Sequence, residues 1–161
     1  MILIHLASGS VLKEACAMFG RVIIPQAVHR EVVEKGIEKG RADAHVVERL
    51  ERSGELGVVA VKEKKLMTEL ARYGLRGGEL EAVALYFQEN ADLLATNDDK
   101  VRSLHLALRL NLVSSPEIIA MMVKRKAIAK ERALQCLSQL RKTGWFSPDV
   151  LDLIIEEVRK N

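Results

Sequence analysis

Apolar residues fall into two kinds of run along this chain. Three short blocks, Arg21-Val-Ile-Ile-Pro25, Gly57-Val-Val-Ala-Val61 and Asp92-Leu-Leu-Ala-Thr96, are β-branched or apolar and bounded by Gly, Pro or polar residues, so they predict buried strands. Leu112-Val113 is a weaker fourth strand and Ile2-Leu-Ile4 a possible first. Between them the apolar spacing is helical: Val11 to Phe19, Gln26 to Glu34 continuing after Gly36 into Arg41 to Arg52, Lys64 to Tyr73, Glu79 to Asn90, and Lys100 to Leu110. Strand and helix alternate with short connections, and a crossover between parallel strands needs a helix-sized segment. The fold class is therefore α/β, a parallel sheet flanked by helices.

After Ser114-Ser-Pro116 the strand signal stops. Three helices are predicted there, Pro116 to Lys124, Lys130 to Lys142 and Pro148 to Lys160. Pro116 and Pro148 each stand at a helix start behind a serine able to cap. Ile118, Ile119 and Met122, then Leu134, Leu137 and Leu140, recur at helical spacing, so these helices should pack on the sheet as a cap. No linker or internal repeat divides the chain. The expectation is one domain over residues 1–161, with a core of about 1–114 and a helical cap of about 115–161.

Composition changes this picture little but excludes several classes. The 161 residues are 48% hydrophobic and 29% charged, enough for a sizeable core and too apolar for a disordered tail. A net charge of +3 permits an anionic partner such as RNA without proving one. Aromatic residues make up only 4%, which argues against base-stacking platforms, so any nucleic acid would be held through phosphate. Cys16 and Cys136 lie in helical patterns with no metal-ligand spacing, and a reducing, cytoplasmic setting is the simplest reading. No stretch is apolar enough to predict a membrane span, and residues 1–7 lack the form of a signal peptide.

Ligand sites of open α/β sheets lie at the carboxyl ends of strands, and acids recur at those places. The strand at 92–96 runs into Asn97-Asp98-Asp99, where one carboxylate, Asp99, is readily explained as a helix cap and Asp98 less so. Glu31 lies almost two turns beyond Pro25, with Val28 and Val32 beside it; an ordinary solvated glutamate is the simpler alternative. Glu79 and Glu81 open a largely apolar helix after Gly77-Gly78. Two residues apart on a helix, they point about 200° apart, so at most one joins a common site with Asp98 and the other acts on the helix dipole. Carboxylates converging on one cleft need a compensating cation, and a hard ion such as Mg²⁺ or Mn²⁺ suits oxygen ligands. Phosphoryl chemistry follows, because such an ion serves phosphodiester hydrolysis without a side-chain nucleophile. No P-loop, GxGxxG, GxSxG or HExxH motif offers a competing chemistry.

These residues resemble the PIN-domain family of small metal-dependent ribonucleases, which includes VapC-type toxins, and most closely its prokaryotic branch of uncharacterised PIN-like proteins. The resemblance covers almost the whole chain. It rests on Phe19-Gly-Arg-Val-Ile-Ile-Pro25 with Ala27-Val28 and Glu31-Val-Val, on Gly78-Glu-Leu-Glu-Ala-Val-Ala-Leu85, on Ala91-Asp-Leu-Leu with Asp98-Asp-Lys-Val-Arg102, and on Leu140-Arg-Lys-Thr-Gly-Trp-Phe-Ser-Pro148. By that resemblance Glu31, Glu79 and Asp98 are the catalytic acids and, with Asp99, the ligands of Mg²⁺ or Mn²⁺; Glu81 is a substitute ligand. Lys100 and Arg102 would hold RNA phosphates, whereas Lys124 to Lys126 read as a solvated basic face. The family also places an Asp at the end of its first strand, and this sequence has none there. Aligned without a gap, residues 3–20 resemble the segment just downstream of that Asp, as though the chain started one strand late. Alternatively residues 1–4 form the first strand, and His5 stands where the Asp should be; the simpler reading of His5 is a half-buried histidine that binds no metal.

The resemblance implies a ribonuclease that cleaves RNA phosphodiesters, in the manner of the toxin of a toxin–antitoxin pair, and a homodimer, since dimers are common in the family. The incomplete acid set supports the alternative of a catalytically impaired PIN-like module that binds RNA or a protein partner such as an antitoxin.

Overall fold

The structure, a computed structural model, describes residues 1–160. Its elements in order are α1 (Ile2–Ser8), α2 (Leu12–Phe19), β1 (Ile23–Pro25), α3 (Gln26–His29), a π-helical segment (Arg30–Glu34), α4 (Lys35–Glu38), α5 (Ala42–Arg52), β2 (Gly57–Val59), α6 (Lys64–Ala71), α7 (Gly77–Gln88), β3 (Leu94–Ala95), α8 (Asp99–Ser103), α9 (His105–Leu108), β4 (Leu112–Val113), α10 (Ser115–Lys124), α11 (Lys130–Thr143) and α12 (Pro148–Lys160). The alternating α/β order expected from the apolar pattern is present, and all strand pairing is parallel. The sheet, however, is two separate pairs: β1 beside β2, with Ile23, Ile24 and Pro25 opposite Gly57, Val58 and Val59, and β3 beside β4, with Leu94 and Ala95 opposite Leu112 and Val113.

Two sequence expectations are corrected. Residues 2–4 are helical instead of extended: Leu3, Leu6 and Ala7 are buried at the i, i+3, i+4 spacing of a helix face, and a three-residue apolar run cannot by itself distinguish the two periods. The helix expected over Lys100 to Leu110 is broken. The Leu104 amide bonds the carbonyl of Val101, three residues back, at 3.1 Å, and Arg109 ends α9 in the left-handed region at φ 53°.

Two apolar clusters hold these elements. The larger joins the N-terminal helices to the C-terminal ones through Leu6, Val11, Val47, Ile119, Met122 and Leu151, and Ile24 of β1 belongs to it. The smaller, built on Leu70, Leu75, Val83, Ala84, Val101 and Leu110, joins α6, α7 and α8. Where α4 meets α5 the approach is close enough to demand glycine: a Cβ on Gly36 would stand 2.6 Å from the Cβ of Ala44. Helix α10 starts with a capping box in which Glu117 accepts from both the N–H and the hydroxyl of Ser114 at 2.6 Å. The cap is thus Ser114 and not Ser115, whose side chain is engaged elsewhere. Among the described residues no helix is long and apolar enough to cross a membrane, and Cys16 and Cys136 are free, buried thiols.

Candidate functional site

The strand ends bring the acids into one neighbourhood by different routes. Beyond β1 the chain turns directly into α3, then widens into the π-helical segment that carries Glu31. In this segment the consecutive residues Val32 and Val33 are both buried. His29 fastens the segment to its surroundings, with Nδ1 3.3 Å from Glu34 and Nε2 2.9 Å from Glu51 of α5. A π-bulge inside a longer helix redirects side chains and occurs mostly at functional sites.

The Glu31 carboxylate lies against the first turn of α7. Its Oε2 is 3.6 Å from where a Cβ on Gly78 would stand, and Val28 Cγ2 is 3.2 Å from the same point, so the absent side chain at Gly78 leaves the approach open. Glu79 follows in that turn. The Met1 amine shares the neighbourhood. Burial pushes its pKa down, the charges of Glu31 and Glu79 push it back up, and Arg41 adds a smaller downward push. Two exposed carboxylates at a helix N-terminus, favoured there by the helix dipole, therefore face one compensating ammonium.

Glu81 is committed elsewhere. Its Oε2 accepts the Ala27 N–H at 2.8 Å, satisfying one of the free donors at the start of α3, and its Oε1 lies 3.6 Å from Arg30. Glu79 and Glu81 thus diverge as their spacing requires, and Glu81 ties α7 to the β1–α3 junction.

Beyond β3 the assignment of the two aspartates is reversed from the sequence expectation. Asp98 caps α8, with Oδ1 accepting the Val101 N–H at 2.8 Å, and its own amide bonds the Thr96 hydroxyl at 3.1 Å. Asp99, expected as the cap, is the first residue of the helix and is exposed. An Asx cap requires extended backbone, and Asp98, at ψ 123°, has it.

Neighbouring Asn97 belongs to a buried polar knot that the sequence did not disclose. Its Oδ1 accepts the Ser115 N–H at 2.9 Å, and its Nδ2 donates to Ser115 Oγ at 2.8 Å and to His5 Nδ1 at 3.1 Å. Ser115 Oγ is also 3.2 Å from His5 Nδ1, so that nitrogen acts as an acceptor and the ring is neutral with its proton on Nε2. Burial, seconded by the Met1 ammonium, holds the His5 pKa below its usual value. His5 therefore pins α1 to the junctions of β3–α8 and β4–α10 through hydrogen bonds. Only the adjacency of Asn97 to Asp98 hinted at this.

Of the two basic residues proposed for phosphate, Lys100 is exposed, with its Cε 3.3 Å from where a Cβ on Gly74 would stand. Arg102 is half-buried: its Nη1 is 3.9 Å from Glu117 and has no hydrogen-bond partner. Lys124, Arg125 and Lys126 are exposed at the end of α10.

Among the described residues, no three His, Cys, Asp or Glu side chains are grouped closely enough to hold a metal ion. The carboxylates are oxygen donors of the kind a hard divalent ion takes, and Glu31 and Glu79 converge, but Asp98 spends one oxygen on its helix.

Comparison with known proteins bears on the whole of this arrangement. No curated protein matches the chain, and no solved structure does. A family model described as a PIN domain matches residues 1–160. A match of that extent, together with the parallel α/β order and the acids at its strand ends, places the chain in the PIN-domain family, a family of nuclease-like modules.

Proposed function

We propose that this chain is a divalent-cation-dependent ribonuclease module. In this reading Glu31 and Glu79 form the primary cation pair, and Asp98 supplies a third carboxylate through the oxygen that its helix cap leaves free. The observation that carries the reading is the convergence of Glu31, on its π-bulge, with Glu79 on the first turn of α7, where the two charges already draw a cation, the Met1 ammonium.

The donor set is all oxygen, which suits Mg²⁺ or Mn²⁺ over softer metals. When bound, such an ion supplies an activated water and neutralises charge developing on a phosphodiester. The chain's own residues do the rest. Glu31 and Glu79 hold and orient, the Asp98 cap fixes the start of α8, and exposed Lys100 offers a phosphate contact close to that start. Arg102, drawn toward Glu117, is the weaker phosphate candidate. Asp99, exposed one residue further on, is a candidate outer ligand. Glu81, bound to Ala27, supports the fold here and is not offered as a substitute ligand.

A second reading has one specific observation behind it. Without three grouped ligands the same fold serves as a binding module that holds RNA, or a protein partner such as an antitoxin, with no turnover. Homodimerisation is compatible with either. The readings separate in one experiment, in which labelled single-stranded RNA is incubated with the protein in Mn²⁺ and, separately, in EDTA. Cleavage in Mn²⁺ that EDTA abolishes supports the nuclease. Intact RNA in both, with salt-dependent retention of the RNA, overturns it in favour of the binding module.

A further inference from the structure

We propose that the interval between β1 and β3 is a docking slot for an extended apolar segment of a partner chain, which would insert as a parallel strand. This rests on the sheet alone and is independent of the nuclease reading.

The backbone fixes which groups are unpaired. Gly57 donates to the Val22 carbonyl at 2.9 Å, so Val22 and, by the alternation of a strand, Ile24 turn toward β2. Ile23 then turns its N–H and C=O to the other side, as Pro25 does its C=O. In β3, Leu94 and Thr96 donate to Asn111 and Val113 at 2.8 Å, which leaves Leu93 and Ala95 facing away from β4. No ladder joins β1 to β3.

Two further contacts put the free edges side by side. Helix α7 packs on both β1 and β3. Helix α1 begins at the carboxyl ends of both, since the Met1 amine feels Glu31 beyond β1 and His5 bonds Asn97 beyond β3. The strands therefore run in the same sense, in the order β2, β1, slot, β3, β4.

Burial agrees with an unfilled place. Strands of a parallel sheet are normally covered on both faces, yet Ala95 is exposed and Ile23, Leu93 and Leu94 are only half-buried. Leu93 packs with the larger core and Leu94 with the smaller, so a strand entering here would offer alternate side chains to the two cores. The unpaired groups on both sides call for main-chain donors and acceptors on both edges of the occupant, which is the β-augmentation mode of peptide recognition. A second folded copy does not fit the slot, because each of its own strands is already paired and flanked by helices.

The test is residue-resolved hydrogen exchange on the full chain with a synthetic probe, an acetylated peptide of alternating valine and threonine flanked by lysines. The expected result is slowed exchange of the Ile23, Leu93 and Ala95 amides by roughly tenfold or more, as for newly formed hydrogen bonds, with one peptide bound per chain. Leu94 and Thr96, already bonded, should not change. A probe N-methylated at alternate residues should lose that protection. Ala95→Pro, which removes one free-edge donor, should weaken probe binding roughly tenfold. Unchanged exchange at all three amides with saturating probe overturns the proposal. So does protection without probe in a sample that light scattering shows to be dimeric, which would make a second copy the occupant.

Discussion

Asp98→Asn and Asp98→Ala divide two roles held by one carboxylate. The Oδ1 atom caps α8 through the Val101 amide at 2.8 Å, while the charge and the second oxygen are what a cation would use. Asparagine caps as well as aspartate, so Asp98→Asn keeps the bond to Val101 and should alter stability by no more than a few tenths of a kcal/mol. Alanine removes the cap at a cost of about 1 kcal/mol, which in a domain of this size lowers the melting temperature by roughly 2–4 °C. Both substitutions remove the third carboxylate, and each should weaken Mn²⁺ binding by at least about tenfold, or roughly 1.4 kcal/mol. Thermal unfolding by circular dichroism reads the first effect and titration calorimetry the second. An Asp98→Asn protein that binds Mn²⁺ as tightly as the parent refutes the cation role, and an Asp98→Ala protein that melts at the parent temperature refutes the cap.

Other substitutions probe the supports of the site. Glu81→Ala leaves the Ala27 N–H without its 2.8 Å partner and should cost about 1–3 kcal/mol in chemical denaturation, whereas Glu81→Gln, which keeps an acceptor, should cost less. Gly36→Ala drives two Cβ atoms to 2.6 Å with no flexible end to yield, and urea unfolding should show a loss of about 1–3 kcal/mol. His5 is buried and neutral, with its pKa pushed below the usual 6.5, so the unfolded chain binds the extra proton. Its contribution is fully present above pH 6.5 and is lost as pH falls through the depressed folded value. A pH series of melting temperatures should therefore drop on the acid side of 6.5, and less steeply in His5→Gln; parallel curves for the two proteins would refute the assignment.

What the sequence disclosed, and what it withheld, follows from the range of the forces involved. Apolar spacing located the helices and β4 closely because burial is periodic and local, and it placed Glu31, Glu79 and Asp98 after the correct strands. It could not tell helix from strand over residues 2–4, where the deciding contacts of Leu3, Leu6 and Ala7 come from distant helices. Nor could it show that the sheet divides into two pairs, since pairing depends on strands far apart in the chain. The cap fell on Asp98 and not Asp99 because of one backbone torsion, which adjacent identical residues conceal. Glu81 looked like a second acid of the site, and only the fold brought Ala27 to its carboxylate. The knot of His5, Asn97 and Ser115 joins residues more than ninety positions apart and left no local signature.

The most direct test of the central claim is a calorimetric titration of Mn²⁺ into the parent protein and into Glu31→Gln, Glu79→Gln and the double variant, all verified as folded. The account predicts stoichiometric binding by the parent, weaker binding by each single variant and none by the double. Binding that is undiminished in the double variant, or absent from the folded parent, would contradict it.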